Sequence, residues 1–504
     1  MNTRREFIQL SCAALVGMTQ KSGRPIPGGW VNENFTAGHA IRDRQPFGDP
    51  KQTEKTTLVI VGGGIAGLSA AWRLHKRGFH DFVLLEMNDA AGGNARSGEN
   101  EVSAYPWAAH YLPVPGLRAV YVRELFEDLG VLKNGVWDER HLCFAPQERL
   151  FALGRWQDGI EPVGLAQGDR DQFARLEDLF AKHRASGAFT IPSELGLTEK
   201  SADLDRLSFA QWLDQNGVNS APIRWYMDYC CRDDYGALAA DTSAWAGIHY
   251  FSSREPVERG PLTWPEGNGW ITKQLLKIVG GYVRTSQPVR RIRTEKNKYT
   301  VQTADTAYLC DAVIFAAPTF LAPYIIEGFG PKPSFEYSPW LTANLTLDRS
   351  PRGANQDERA WDNVVMHSPT LGYVDATHQT LRSHVEKTVW TFYWALAEGA
   401  AADNRRKLLA SDADYWKDAI LRDLERVHPD IRACVTRIDL MRMGHAMARP
   451  TPGAIFDPQR RELAKLRGRL LFANSDLSGF SIFEEAQYRG VKAAEAVLAV
   501  LGRV

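Results

Sequence analysis

Short apolar runs alternate along this chain with stretches of helical period, the pattern of an α/β protein. Leu58, Val59, Ile60 and Val61 form a β-branched run with no polar interruption, which predicts a strand buried on both faces. Leu68 to Arg77 continues in helix-forming residues up to a stop at Gly78, and Asp81 to Leu85 predicts a second strand. Tyr282 to Thr285, Val289 to Ile292, Tyr299 to Gln302 and Ala312 to Pro318 make a later strand-rich block. Val491, Ala494, Leu498 and Leu501 recur at steps of three and four between Glu485 and Leu501, predicting an amphipathic helix with one buried stripe. Between these segments, 113–264 mixes helical stretches (Val122 to Leu129, Gln172 to His183) with loops. Residues 331–464 hold the strand-like Leu341 to Leu347 and Thr388 to Ala395 and a helical stretch near Asp412 to Val427.

The N-terminus reads as an address. Arg4 and Arg5 precede Phe7, and Phe7 to Met18 is mostly apolar or small, which resembles a twin-arginine export signal over 1–24. Roughly a dozen residues are too few to cross a bilayer that takes about 20 in helical form, so no transmembrane anchor is expected there. The expected location is periplasmic or otherwise extracytoplasmic. Residues 25–54, rich in Gly, Pro, Asn and Asp without periodicity, read as a linker or an arm packed on the surface.

Sixty basic residues balance sixty acidic ones, and no basic block with interleaved aromatics occurs, so nucleic acid is excluded as a partner. Six cysteines without a C-x-x-C pair give neither a zinc ribbon nor a dithiol redox centre, and no metal site is expected. Cys230 and Cys231 read as buried apolar thiols.

The chemistry is carried by Gly62, Gly64 and Gly67, which complete G-x-G-x-x-G between the first strand and its helix. The first glycine permits the tight turn, the second lets backbone approach a pyrophosphate, and the third allows close helix-to-strand packing. Ile65 and Ala66 then open the helix, whose free N–H groups face the anion. The second strand ends in Glu86, nineteen residues after Gly67, where an acid accepts ribose hydroxyls and disfavours a 2′-phosphate. No second G-x-G-x-x-G follows, so electrons are expected from a substrate and not from a bound nicotinamide.

Gly92, Gly93, Asn94, Ala95, Arg96 and Ser97 follow Glu86, and here the chain resembles the FAD-dependent amine oxidase, phytoene desaturase and protoporphyrinogen oxidase superfamily. That superfamily places R-x-G-G-R-x-x-S/T after the ribose-binding acid. In this chain Ala90 and Asn94 replace its two arginines, leaving Arg96 as a substitute. The resemblance implies a Rossmann-like FAD-binding domain of the GR2 type within an α/β chain. It would be assembled from discontinuous segments, 55–112, 265–330 and 465–504, with an α+β substrate domain over 113–264 and 331–464.

By the same resemblance, Val289 would hold the adenine edge, and Ser475 or Asp476 would take a ribityl or pyrophosphate contact. The last helix, through Phe483 or Glu484, would aim its positive end at the flavin N1–C2=O edge. The segment Trp107 to Leu112 resembles the one passing the isoalloxazine, making Ala109, His110 and Tyr111 cofactor neighbours. His110 and His445 are the catalytic candidates, and Trp264, Trp270 and Tyr373 the substrate-binding ones.

FAD supplies the electron sink and the protein the orientation. Three readings follow for a small-molecule substrate: oxidation at a C–N bond, desaturation of an isoprenoid or tetrapyrrole, or a flavin-binding electron-transfer subunit without turnover. Amine oxidases of this group usually carry a lysine on the strand that here reads Trp340 to Leu345, and none is present. A quinone or periplasmic carrier therefore competes with O₂ as the expected electron acceptor.

Overall fold

A computed structural model describes residues 25–254, 260–296, 298–331, 335–352, 359–380 and 385–503. The export signal expected over 1–24 lies outside the described residues. An arm carrying helix α1 (Phe35–Arg42) leads into β1 (Leu58–Val61), α2 (Ile65–Lys76) and β2 (Phe82–Leu85). A first insertion holds α3 (Ala221–Tyr235) and ends at α4 (Gly269–Val279), after which come β3 (Val283–Arg284) and β4 (Ala312–Phe315). A second insertion holds β5 (Glu336–Leu347), β6 (Thr388–Ala395), α5 (Ala401–Ala410) and β7 (Val435–Arg449), and β8 (Leu470–Phe472) and α6 (Phe483–Val500) complete the order.

The five-stranded parallel sheet runs β3-β2-β1-β4-β8, so it draws on three stretches far apart in sequence. Leu58 pairs with Phe82 on one side and Ala312 on the other, and Val313 pairs with Leu470. The alternation along β1 explains why all four of its residues are apolar. Leu58 and Ile60 pack with Leu68 and Trp72 of α2 on one face, while Val59 and Val61 pack with Val289 and Phe315 on the other. α6 lies on α2, where Gly490 lets the two backbones approach, since a Cβ there would run into Ala66 O. Gly67 is required by the same logic against Gly62 O.

A second, seven-stranded sheet has Glu148–Ala152 and Arg155–Asp158 at one edge and β6-β5-β7 at the other. β5 is buried along nearly its whole length, and its polar residues are spent on the loop beside it. Thr342 Oγ1 donates to Trp107 O at 2.7 Å and Asn344 Nδ2 to Pro106 O at 3.1 Å.

The arm is more ordered than its composition predicts. Leu440 N donates to Gly29 O and Ile438 N to Pro27 O, so residues 27–31 extend the sheet beyond β7. Lys417 Nζ donates to Ile26 O and Gly28 O. Arg442 stands over the rings of Trp30 and Phe35 and pairs with Glu33 at 2.5 Å. Asn34 Nδ2 then reaches Asn88 Oδ1 at 2.9 Å, bridging to the end of β2. Periodicity could not show any of this, because the partners on β7 and at Lys417 lie about four hundred residues downstream and Asn88 lies 54 residues away.

Among the described residues no helix is long and apolar enough to cross a membrane.

Candidate active site and cofactor groove

One cavity of about 1300 Å³ runs from the carboxyl ends of β1 and β2 to the inner face of the seven-stranded sheet. Its floor is the turn between β1 and α2. α2 starts at Gly64 with no side chain capping it, which leaves the first N–H groups for an anion. Gly62, Gly64, Ile65 and Ala66 line the cavity, while Gly67 sits beneath the turn. Glu86 lines it too, with Oε2 accepting from Gly63 N and Oε1 from Asn88 N, both at 2.8 Å. Gly92, Gly93, Asn94 and Val289 complete this half.

At the other half, α6 points its N-terminus into the cavity, again without a side-chain cap, and Phe483 and Glu484 line it. The first-turn acids are held elsewhere: Glu484 pairs with Arg254 at 2.6 Å, and Glu485 accepts from Ser193 N and Ser478 Oγ. The helix N–H groups are therefore not quenched by those carboxylates. A groove with an uncapped helix at each end and an acid at the ribose position fits FAD.

The segment 106–111 passes along the cavity between these ends, fixed by β5 and β6. Besides Thr342 and Asn344, Tyr393 Oη donates to Ala108 O at 2.9 Å, and Asn268 Nδ2 donates to Tyr111 O at 3.0 Å. Ala109, His110 and Tyr111 line the cavity as a result. His110 stacks on Tyr393 with ring centroids 4.5 Å apart at 26°, and burial holds its imidazole down to about 4, neutral at ordinary pH. His445 also lines the cavity and is likewise held at about 4, by burial and then by Arg405, His39 and Arg42.

Besides Gly67, five expected site residues do not line this cavity. Arg96 folds back, Nε to Gly93 O at 3.3 Å, and packs under Gly92. Ser475 reaches the cavity but Asp476 lies below it, accepting from Thr319 N, Thr319 Oγ1 and Tyr337 Oη. Asp476 therefore ties β4's following turn to β5. Trp264 and Trp270 stack on each other at 4.5 Å, and Trp264 Nε1 donates to His141 Nδ1. Tyr373 stacks on Trp390 at 4.0 Å and bonds His428, inside the core of the second sheet.

The cavity instead gains residues with no motif. Asp233 and Asp234, at the end of α3, and Glu148 form an acidic wall beside Tyr111, Tyr250 and Trp340. Tyr111 Oη donates to Asp233 Oδ2 at 3.1 Å. Burial pushes Asp233 up to about 6, against the lowering effect of Tyr111, and burial with the neighbouring Asp233 pushes Asp234 up to about 7. Glu148 is raised by burial and then by Asp233. The available signal was a pair of adjacent acids on a helix that is otherwise largely aromatic and apolar, with Arg224, Asp228 and Arg232 as its other charged residues. Cys230 and Cys231 are buried one turn earlier, and burial raises both thiols.

A dinucleotide groove joined to an enclosed aromatic and acidic chamber is the architecture of a flavin-dependent oxidoreductase. The family model for flavin containing amine oxidoreductases matches residues 65–342, and the chain belongs to that family, with FAD as its cofactor. It is similar to "Probable flavin-containing monoamine oxidase A" of Dictyostelium discoideum, 26% identical over 278 residues, 53% of this chain and 58% of that protein. A stretch of 210 residues is 31% identical to the mitochondrial pyruvate dehydrogenase phosphatase regulatory subunit of Mus musculus, covering 40% of this chain and 23% of that one. In structure it is similar to a putrescine oxidase bound to putrescine, with TM-score 0.68 and 17% identity over 89% of this chain and all of the other. Cyclohexylamine oxidase from Brevibacterium oxydans gives 0.68 and 16% over the same shares.

Proposed function

We propose that this FAD oxidoreductase oxidises the C–N bond of a small amine that enters the chamber as a cation. The observation that carries this reading is that the acids Asp233, Asp234 and Glu148 line one chamber with the aromatic rings of His110, Tyr111 and Tyr393, Tyr111 bonding directly to Asp233. FAD held in this groove by the α2 turn, Glu86 and the α6 N-terminus would supply the electron sink for a hydride leaving the substrate carbon. The protein's own share is placement. Carboxylates in a partly desolvated chamber attract an ammonium group more strongly than they would in water. The aromatic faces contact its alkyl part and exclude solvent. His110, neutral and locked by stacking, offers a hydrogen-bonding group that carries no competing positive charge. An isoprenoid or tetrapyrrole is a poor match for this chamber, because it would leave three carboxylates buried against hydrocarbon.

Anaerobic mixing with a panel of amines, amino acids and isoprenoids tests the reading through bleaching of the visible flavin absorbance. Bleaching by amines and by none of the isoprenoids is the expected result. Bleaching by isoprenoids alone would overturn it. Since β5 brings only Trp340 of its 340–345 segment to the cavity and no lysine, the acceptor proposed is a quinone or a periplasmic carrier. The bleached enzyme should recover colour faster with a soluble quinone than with O₂.

We further infer export through the twin-arginine pair. A reporter fused to the full chain is expected outside the cytoplasm, and the Arg4→Lys, Arg5→Lys variant inside it. Equal distribution of the two would dismiss this route.

A further inference from the structure

The double-glycine segment lacks both of its arginines, at 90 and 94, and Arg96 turns away from the cavity. A diphosphate placed in the groove still needs countercharge, because ions withdrawn from water without partners are costly. The N–H groups of α2 provide a part. Asn94 indicates the source of the rest. Its amide donates to Ala446 O at 2.7 Å, which lays the end of β7 against the glycine turn. His445 there stacks on Phe320 with centroids 4.5 Å apart. Phe320 in turn follows the Ala316–Ala317 backbone, to which Gly62 comes so close that a Cβ would lie 2.8 Å from Ala317 N.

Around His445 stand Arg405 of α5 and His39 and Arg42 of α1, all lining the same cavity. The other lining arginines are committed: Arg254 to Glu484, Arg442 to Glu33 and Arg406 to Asp403. Arg42 is shared with Asp43. Arg405 makes no ion pair among the described residues, and its Nη1 donates only to Tyr337 O, at 2.8 Å. Arg405 leaves positive charge in excess here, because Glu336, the acid that acts on it, already pairs with Arg449. The depression of His445 by Arg405, His39 and Arg42, after burial, is a symptom of that excess.

Resting on the assignment of FAD to this groove, we propose that Arg405, assisted by Arg42, is the countercharge for the FAD diphosphate, with His39 and His445 as hydrogen-bonding groups beside them. Three separate elements thereby replace the two arginines missing from the motif. The arm becomes part of the cofactor site, because α1 is held over the groove by Asn34 and by the Arg442 stack.

The test is FAD titration of apoprotein, followed by quenching of flavin fluorescence at low and high salt, for wild type, Arg405→Met, Arg42→Met and the double variant. Arg405→Met is expected to weaken FAD about ten-fold or more at low salt, the size of a lost charge-assisted contact, and the double variant further. The gap should narrow at high salt, because salt screens the electrostatic attraction that only the wild type has in full. Equal FAD affinity of wild type and double variant at both salts overturns the proposal. Thermal unfolding of each apoprotein separates lost folding from lost binding. Should Arg405→Met fail to fold, Arg405→Gln, which keeps a donor for Tyr337 O without the charge, makes the same comparison, with the same two outcomes. Wild-type apoprotein that takes up no FAD overturns the cofactor assignment instead.

Discussion

Alanine at Gly62 and alanine at Gly64 both yield nearly colourless protein, for different reasons that thermal unfolding will distinguish. Gly62 has φ near +104°, a conformation L side chains rarely adopt. A Cβ there meets Ala317 N at 2.8 Å and Ala316 C at 3.0 Å, both backbone atoms at the end of β4. Neither can swing aside, so the turn itself must move, at a cost of about 1–3 kcal/mol in strain. Gly62→Ala is therefore expected to lower both the Tm of the apoprotein and its flavin content. Gly64 has φ −71° and open space where its Cβ would go. Gly64→Ala should leave the apoprotein Tm unchanged and still reduce the flavin-to-protein absorbance ratio about ten-fold or more, since the methyl occupies the path of the pyrophosphate. A fully yellow Gly64→Ala protein would show that the groove does not hold the dinucleotide.

This half of the site was legible because it is local. Strand, glycine turn, helix and acid lie within thirty residues, and each carries a pattern set by its own backbone. The chamber half was not. Asp233 and Asp234 meet Glu148 and Tyr111 only through the folding of the first insertion, and a D-D pair on a helix looks in sequence like any solvated turn. Tryptophan and tyrosine misled in the opposite direction: Trp264, Trp270 and Tyr373 have the composition of a binding pocket, but stacking among themselves and against Trp390 satisfies them inside the core. The arm showed no periodicity because its order is imposed from outside, by β7 and Arg442. Asp476 was readable as near the cofactor but not by role, since nothing in its spacing reveals that Thr319 and Tyr337 already occupy its oxygens.

Replacing Asp233 and Asp234 together by asparagine is expected to lower kcat/KM for a cationic amine about a hundred-fold, the scale of losing a charge pair in a desolvated chamber, with flavin content unaltered. The pH profile gives the sharper test. Asp234 and Asp233 are pushed up to about 7 and about 6, so they behave as a coupled pair that gains protons as the pH falls from 8 to 5. Their ionised forms attract the ammonium group. Wild-type kcat/KM should therefore fall as pH drops through 7 and then 6, and a quaternary ammonium inhibitor, whose own charge is fixed, should lose affinity along the same limb. The other groups facing the pair do not reverse this sign. Glu148 is raised as well and adds to the acid limb, Arg254 stays paired with Glu484, and the Tyr111 hydroxyl remains protonated because burial raises it further. His110, held near 4, does not change charge in this window and cannot generate the limb. In the double asparagine variant the profile should flatten between pH 5 and 8. An unchanged acid limb in that variant would move the titrating group elsewhere and with it the recognition of the cation.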